Sequence, residues 1–277
     1  MSTQILKGLR VLDLSRMLSG PYCTMHLADH GAEVIKIEGG SGDTSRGNGP
    51  FRVDDPKHDW AGYFVSLNRG KKSIQLDLKS ESGKASFRKL AATADVIVEN
   101  FRPGVMERRS LGPTECLEQQ PRLVYGRMTG WGQEGPYATV AGHDLTYLAA
   151  AGVLAHVGRL DQPPTPPLNL VADYGGGAML LLVGVLSALW EAQRTGRGQV
   201  VDAAMIDGAA LLMSMFHSMR NQGMWSMERG VNLLDSGAPF YDVYRTSDDG
   251  WLALACLEPA FYQQWLEVSG LADDQLP

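Results

Sequence analysis

Cysteine is scarce in this chain of 277 residues: Cys23, Cys116 and Cys256 stand far apart and form no CxxC pair. That argues against a disulfide framework and a cysteine-built zinc site, and it suits a reducing compartment. Excess positive charge is missing too, since 31 acidic residues outnumber 25 lysines and arginines to leave a net charge of −6. Nucleic-acid binding, which rests on basic residues facing phosphates, is therefore not expected. A local basic pocket for a small anion is still compatible with this balance. The longest apolar run, Ala178 to Trp190, falls short of a typical membrane span of ~20 residues and reads as a buried helix, so no membrane partner is expected. The opening MSTQILKGLRVLDL carries no apolar core with a cleavage site, which predicts no signal peptide and a cytoplasmic location.

Several chemical signatures are also absent. The turn after the first strand is SRMLSGP rather than GxGxxG, so its backbone cannot approach a pyrophosphate in the usual way. NAD or FAD is not expected, even though Glu38 stands where a ribose-binding acid would sit. There is no GxxxxGK[ST] loop, no GxSxG elbow and no HExxH pair. His26 and His30, four apart on a helix, read as surface or packing residues, and no metal is expected.

What is present is an ordinary globular composition, 44% hydrophobic and 20% charged. At this length roughly 70–75% of the unfolded surface can be buried. Strand-like GLRVLDL (8–14) leads into helical PYCTMHLADHGA (21–32), ended by Gly31, and then into strand-like EVIKIE (33–38). KKSIQLDL (71–78), helical SESGKASFRKLAATA (80–94) and ADVIVENF (94–101) repeat the unit, and LGPTECLEQQ with RLVYGRM (122–128) adds a further helix and strand. This alternation predicts an α/β fold with a Rossmann-like parallel sheet covered on both faces. GGSGDTSRGNGPFRVDDPKHDW reads as a long surface loop, and PPTPPL (163–168) as an extended linker. One long apolar helix is expected from Ala172 to Gln193, and a Met-rich helix (Met205, Met213, Met215, Met219) from Ala203 to Gln222. The Met stripe reads first as core or subunit interface and second as an adaptable ligand surface. A hairpin around Asp248–Gly250 and a helix from near Pro259 open a second unit. The expected division is a large α/β domain over 1–202, a helical linker over 203–238, and the start of a smaller α+β domain over 239–277.

Two features could carry chemistry. Arg69, Lys71, Lys72 and Lys79 surround one strand, and Arg102, Arg108 and Arg109 follow the next. They read either as solvated charges or as a polyphosphate pocket at the carboxyl ends of the strands. His143 and Asp144 stand immediately before an apolar helical run, and Asp173 stands at the start of the long helix. Each aspartate could be only a helix cap. Equally, a helix start can hold a developing oxyanion, and an imidazole beside it can move a proton.

KGLRVLDLSRMLSGPYCTMHLADHGAEVIKIE, NRGKKSIQLDL, VENFRPGVMERRSLGP, YGRMTGWGQEGPYATVAGHDLTYLAAAGVL and PPLNLVADYGGGAMLLLVGVLSAL together resemble the CoA-transferase family III superfamily, and within it the α-methylacyl-CoA racemases. His143 tilts the resemblance, because the racemases are similar in carrying GHD where the transferases carry an aromatic residue. The resemblance implies an acyl-CoA thioester as partner and no cofactor beyond the CoA of the substrate. It assigns His143 and Asp173 as acid/base residues on opposite faces of C2, Glu258 as the partner of His143, and Asn169 as the support of Asp173. In the transferase reading Asp173 is instead a nucleophile. The Asp144 N–H would hold the thioester oxygen. CoA contacts carry over to Lys36, Leu76, Asp77, Leu78, Lys79, Asn100, Phe101, Arg102, Pro103, Gly104, Arg108, Gly142 and Tyr147. The racemases often have an arginine after the strand matching EVIKIE; Gly39 and Gly40 stand here, and Arg46 in the GDTSRG loop is its expected replacement. An interlocked homodimer with its active site at the subunit interface is implied. The chain ends at LADDQLP, inside the expected small domain, where the family continues, so a silent acyl-CoA-binding fragment is a third reading.

Overall fold

The two central strands are apolar on both faces, and that demands cover on both sides. In the computed structural model, which describes residues 4–51, 54 and 61–271, six strands supply one parallel sheet. They are β1 (Arg10–Asp13), β2 (Glu33–Glu38), β3 (Lys72–Gln75), β4 (Val96–Glu99), β5 (Val124–Thr129) and β6 (Val200–Ala204), ordered β3-β2-β1-β4-β5-β6. Leu12 lies beside Ile35 on one side and Ile97 on the other. Val11, Val96, Val98 and Val124 pack with α1 (Ser19–Asp29) and α6 (Leu180–Thr195). Leu12, Ile97 and Tyr125 pack with α3 (Glu81–Ala91) and α4 (Pro113–Gln119). The strand order reverses between β1 and β4, so a crevice opens at their carboxyl ends. The expected α/β class and the strand–helix alternation are both observed.

Two stretches differ from expectation. Val200–Ala204, whose last two residues were assigned to the Met-rich helix, pairs in parallel with β5 as β6. The helix begins only at Met205 and breaks at Met213, giving α7 (Met205–Leu212) and α8 (Ser214–Asn221). The long apolar helix starts at Leu170 rather than Ala172, and its first ten residues, Leu170–Met179, form a π-helix before α6. The Tyr174 N–H donates to the Asn169 carbonyl five residues back at 3.3 Å. Close contact with α7 accompanies this wide turn: a Cβ on Gly208 would lie 1.8 Å from the Gly176 carbonyl oxygen. By length and composition alone Leu170–Thr195 could cross a membrane. Here Ala178, Leu181, Val185, Ala188 and Leu189 are buried in the core beside the strands.

The chain divides into two compact units, 1–148 with 169–212, and 149–168 with 213–277. This differs from the expected break at 202 and separate linker over 203–238, because β6 and α7 are built into the sheet unit. Within the second unit, β7 (Tyr241–Arg245) and β8 (Trp251–Ala255) form the expected hairpin, followed by α9 (Pro259–Ser269). Arg159 forks onto Asp242 at 2.7 and 2.8 Å. Trp225 is buried against Phe216, and its indole N–H donates to His156 at 3.3 Å. Residues 52–53 and 55–60 of the expected long loop, and 272–277 of the expected small domain, lie outside the described residues.

The glycine contact between α7 and the π-helix yields a stability test. Gly208→Ala is expected to cost about 1–3 kcal/mol by overpacking, read by urea unfolding. Gly47→Ala, whose Cβ meets nothing within 4 Å, stays within about 0.5 kcal/mol of the parent.

Candidate active site

Asp173 sits in the first turn of the π-helix and is buried. Asn169, one turn earlier, donates its amide to Asp173 Oδ2 at 2.6 Å, and the Ser19 hydroxyl approaches Oδ1 at 3.4 Å. Burial pushes the Asp173 carboxyl above the usual aspartate range, the Asn169 hydrogen bond opposes this, and the Asp144 charge reinforces it. The His143 charge works in the opposite direction. A carboxyl raised in this way holds its proton nearer neutrality, where acid/base catalysis is most effective.

His143 precedes the first residue of α5 (Asp144–Ala150) and is exposed. Its own N–H donates to the Thr146 hydroxyl at 2.9 Å, and that hydroxyl donates back to the His143 carbonyl at 2.7 Å. Thr146, not the Asp144 side chain, therefore closes this helix start. The buried Asp144 carboxylate turns to the other helix instead: Oδ2 accepts the Ala172 N–H at 2.9 Å and the Asp173 N–H at 2.8 Å. These are groups that a helix leaves orphaned at its start. The Asp144 N–H, as the first of α5, has no acceptor within its own helix.

Tyr147 is buried one turn further along α5, its hydroxyl pushed up to about 12 by burial and by the Asp173 charge. Its ring stands edge-on to Trp131 at 4.9 Å. Two glycines make room for it, since a Cβ on Gly130 would lie 2.2 Å from the ring and one on Gly142 2.6 Å from it. His143, Asp144, Tyr147, Asn169 and Asp173 therefore gather within one unit. Glu258, just ahead of α9, is exposed and belongs to the other unit.

At the carboxyl ends of β1 to β4 lies a cavity of about 580 Å³. Leu76, Asp77, Leu78, Lys79 and Phe101 line it, as do Arg109, one of the basic residues read from the sequence as a polyphosphate pocket, and Arg16, which sequence reasoning did not assign to the site. The two guanidiniums lie 5.3 and 5.9 Å from the Phe101 ring centroid. Phe101 is held from behind, its N–H donating to the buried Glu99 at 2.7 Å. Burial pushes the Glu99 carboxyl up to about 7 against the pull of Arg127. Asn100 accepts the Arg16 N–H at 2.9 Å and donates to the Arg16 carbonyl at 2.7 Å, fixing the first loop. Arg102 and Arg108 are exposed, Pro103 is half-buried, and Gly104, at φ +79, passes close under the Arg108 side chain.

Two expected cation contacts turn inward. Lys36 donates to the Ser15 carbonyl at 2.8 Å and pairs with Asp43 at 2.9 Å, both side chains being buried. Arg46 forks onto Glu38 at 2.7 and 2.8 Å and stacks on Phe64. Glu38 thus ties down the GDTSRG loop rather than a ribose. Burial opposes its ionisation, but Arg46, Ser73 and the Asp43 N–H bring its carboxyl down to about 2. The His30 ring is 2.8 Å from the His26 carbonyl. Among the described residues there is no cluster of three or more metal-ligating side chains.

Residues 6–276 match the CoA-transferase family III. Over 275 residues the chain is 42% identical to the α-methylacyl-CoA racemase of Mus musculus, a match covering 99% of this chain and 67% of that protein. It is 43% identical over 211 residues to the succinyl-CoA:mesaconate CoA-transferase of Haloarcula hispanica, covering 75% of this chain and 53% of the other. A CAIB/BAIF family protein from Brucella suis, solved by crystallography, superposes with a TM-score of 0.83 at 31% identity, over 96% of this chain and 70% of that one. The chain spans about two thirds of the length of the mouse protein.

The Glu38–Arg46 fork has a pH signature. The folded carboxyl lies at about 2 against an ordinary 4.5. Its contribution is therefore complete above pH 4.5 and disappears as pH falls towards 2. Glu38→Gln is expected to cost ~3 kcal/mol at neutral pH. The gap to the parent protein in urea unfolding should close steadily between those two pH values.

Proposed function

The chain belongs to CoA-transferase family III, and we propose that it interconverts the C2 epimers of 2-methylacyl-CoA thioesters by removing and returning one proton. The observation that carries this reading is the Asp144 carboxylate on the Asp173 N–H. It stitches the helix start that follows His143 to the helix start that bears Asp173, so two acid/base groups share one small volume.

In this reading the thioester oxygen takes the Asp144 N–H. The His143 imidazole takes the C2 proton, the C–H electron pair delocalises into the enolate, and the Asp173 carboxylic acid returns a proton to the opposite face. The reverse reaction begins from imidazolium and carboxylate, and exchange with water connects the two states. Oxyanion stabilisation is needed because a thioester α-proton is only weakly acidic. The cavity at the strand ends would hold the CoA moiety, with Lys79, Arg16 and Arg109 available to its phosphates. No cofactor beyond that CoA is invoked. Glu258 would orient His143 from a second copy in a homodimer, and the three free cysteines suit the cytosol.

The shared family makes a CoA-transferase with Asp173 as nucleophile the rival reading. In D2O, a single-enantiomer 2-methylacyl-CoA is expected to lose optical purity and gain deuterium at C2. His143→Ala and Asp173→Ala should each slow this by ~10²–10⁴-fold. Exchange surviving both substitutions would sink the assignment. An acyl or CoA adduct trapped on Asp173 with a carboxylate acceptor present decides for transfer, and CoA-ester binding by a monomer without exchange marks a silent fragment.

A further inference from the structure

We propose that the Asp144 side chain is a positioning residue, clamping the Asp173 backbone and holding a second negative charge against its carboxyl. The inference rests on the racemase reading for its kinetic arm, but its geometry stands independently.

Asp144 uses one oxygen for both contacts, with Oδ2 accepting from Ala172 and Asp173 at 2.9 and 2.8 Å. Oδ1 is buried and has no partner among the described residues. Among the described residues no cation pairs with the group, and its charge acts on the neighbouring Asp173 carboxyl. A cap needs only an acceptor, and asparagine or serine would serve as well. A carboxylate with an idle oxygen, next to another carboxylate that must keep a proton, does more. It is the like-charge arrangement by which one acid is held protonated near neutrality.

Among the described residues the groups facing Asp173 are few. His143, Asp144 and Tyr147 come from the start of α5, Tyr174 from the π-helix and Tyr63 from α2 (Gly62–Asn68). Ser19 of α1 and Asn169 are neutral. Burial raises the Asp173 carboxyl, and among the charged neighbours Asp144 is the one that raises it further. The clamp and the charge thus have separable effects. The clamp fixes where the carboxyl points, and the charge fixes when it releases its proton.

Two substitutions separate them. Asp144→Asn keeps an oxygen for the two N–H groups and puts its amide nitrogen at the idle position, so the clamp survives without the charge. Asp144→Ala removes both. Hydrogen–deuterium exchange of the 169–176 segment is expected to stay slow in D144N and to accelerate in D144A. The limb of the pH–rate profile for C2 exchange that reports Asp173 should move to lower pH in D144N, and a ¹³C NMR titration of the Asp173 carboxyl should move the same way. D144A should lose ~100-fold in kcat, the order expected for about 1 Å of misplacement. Equal exchange rates in the two variants, or an Asp173 titration unmoved in D144N, would overturn the proposal. Absence of C2 exchange in the parent protein would instead refute the racemase reading, with the exchange and NMR measurements still deciding the role of Asp144.

Discussion

Two buried ammonium groups hold the functional edge of the sheet in shape. Lys71 reaches Asp13 at 2.9 Å, the Thr24 hydroxyl at 2.7 Å and the Pro21 carbonyl at 3.0 Å, while Lys36 joins Asp43 to the Ser15 carbonyl. Burial opposes ionisation of Asp13, yet Lys71 and Lys36 hold its carboxyl far below the usual range. The Asp13 carboxylate also takes the Ser15 N–H and hydroxyl. A buried charge stripped of its partner costs several kcal/mol, so this network tolerates little rearrangement. The turn it braces, Ser15 to Pro21, carries Arg16 towards the Phe101 cavity and Ser19 to Asp173. A dinucleotide-binding fold shapes that turn with glycines; here ions and hydroxyls shape it, and that difference removes the pyrophosphate cradle.

The same economy operates at the π-helix. Glycines at 176 and 208 let two backbones touch, which seats α7 directly against the wide turn behind Asp173. Wide turns of this kind are rare and concentrate at functional sites. The orphan N–H groups at its start are taken up by a side chain from another helix, so the position of Asp173 is coupled to that of His143. One contact thus ties two helix starts together, and neither can shift without disturbing the other.

Much of this fold was legible in the sequence because both its signals are local. Alternating apolar strands and amphipathic helices follow from side-chain periodicity alone, and five of the six strands of the sheet were marked in that way. β6 was hidden because Val200–Ala204 runs without a turn signal into Met205, so its extended part looks like a helix entrance. The π-helix left no periodic trace, since apart from Asp173 and Tyr174 its ten residues are glycine, alanine or larger apolar residues. In the proposed site, motif order singled out His143, Asp144, Asn169 and Asp173. What they do to one another could not, because the Asp144 bond spans 28 and 29 residues. Lys36 and Arg46 were expected to face a ligand for the same reason: a sequence displays a charge but not the buried carboxylate that claims it.

Asp144 shows how far a local reading of polarity can mislead. An aspartate at a helix start suggests a cap for that helix, and the preference is real. Here the adjacent helix is closed by Thr146, and the carboxylate is released to serve N–H groups 28 and 29 residues further along the chain. In the proposed chemistry, two acids placed so close together serve a site that needs a proton donor. An isolated surface aspartate would be ionised at neutral pH and could only accept. Burial with a second carboxylate beside it raises the Asp173 carboxyl above the usual aspartate range, and the proposed mechanism uses the His143 imidazole as the complementary group. Replacing that imidazole by an aromatic ring would leave Asp173 with no opposing base. The same buried carboxyl would then be left to act on the thioester as a nucleophile.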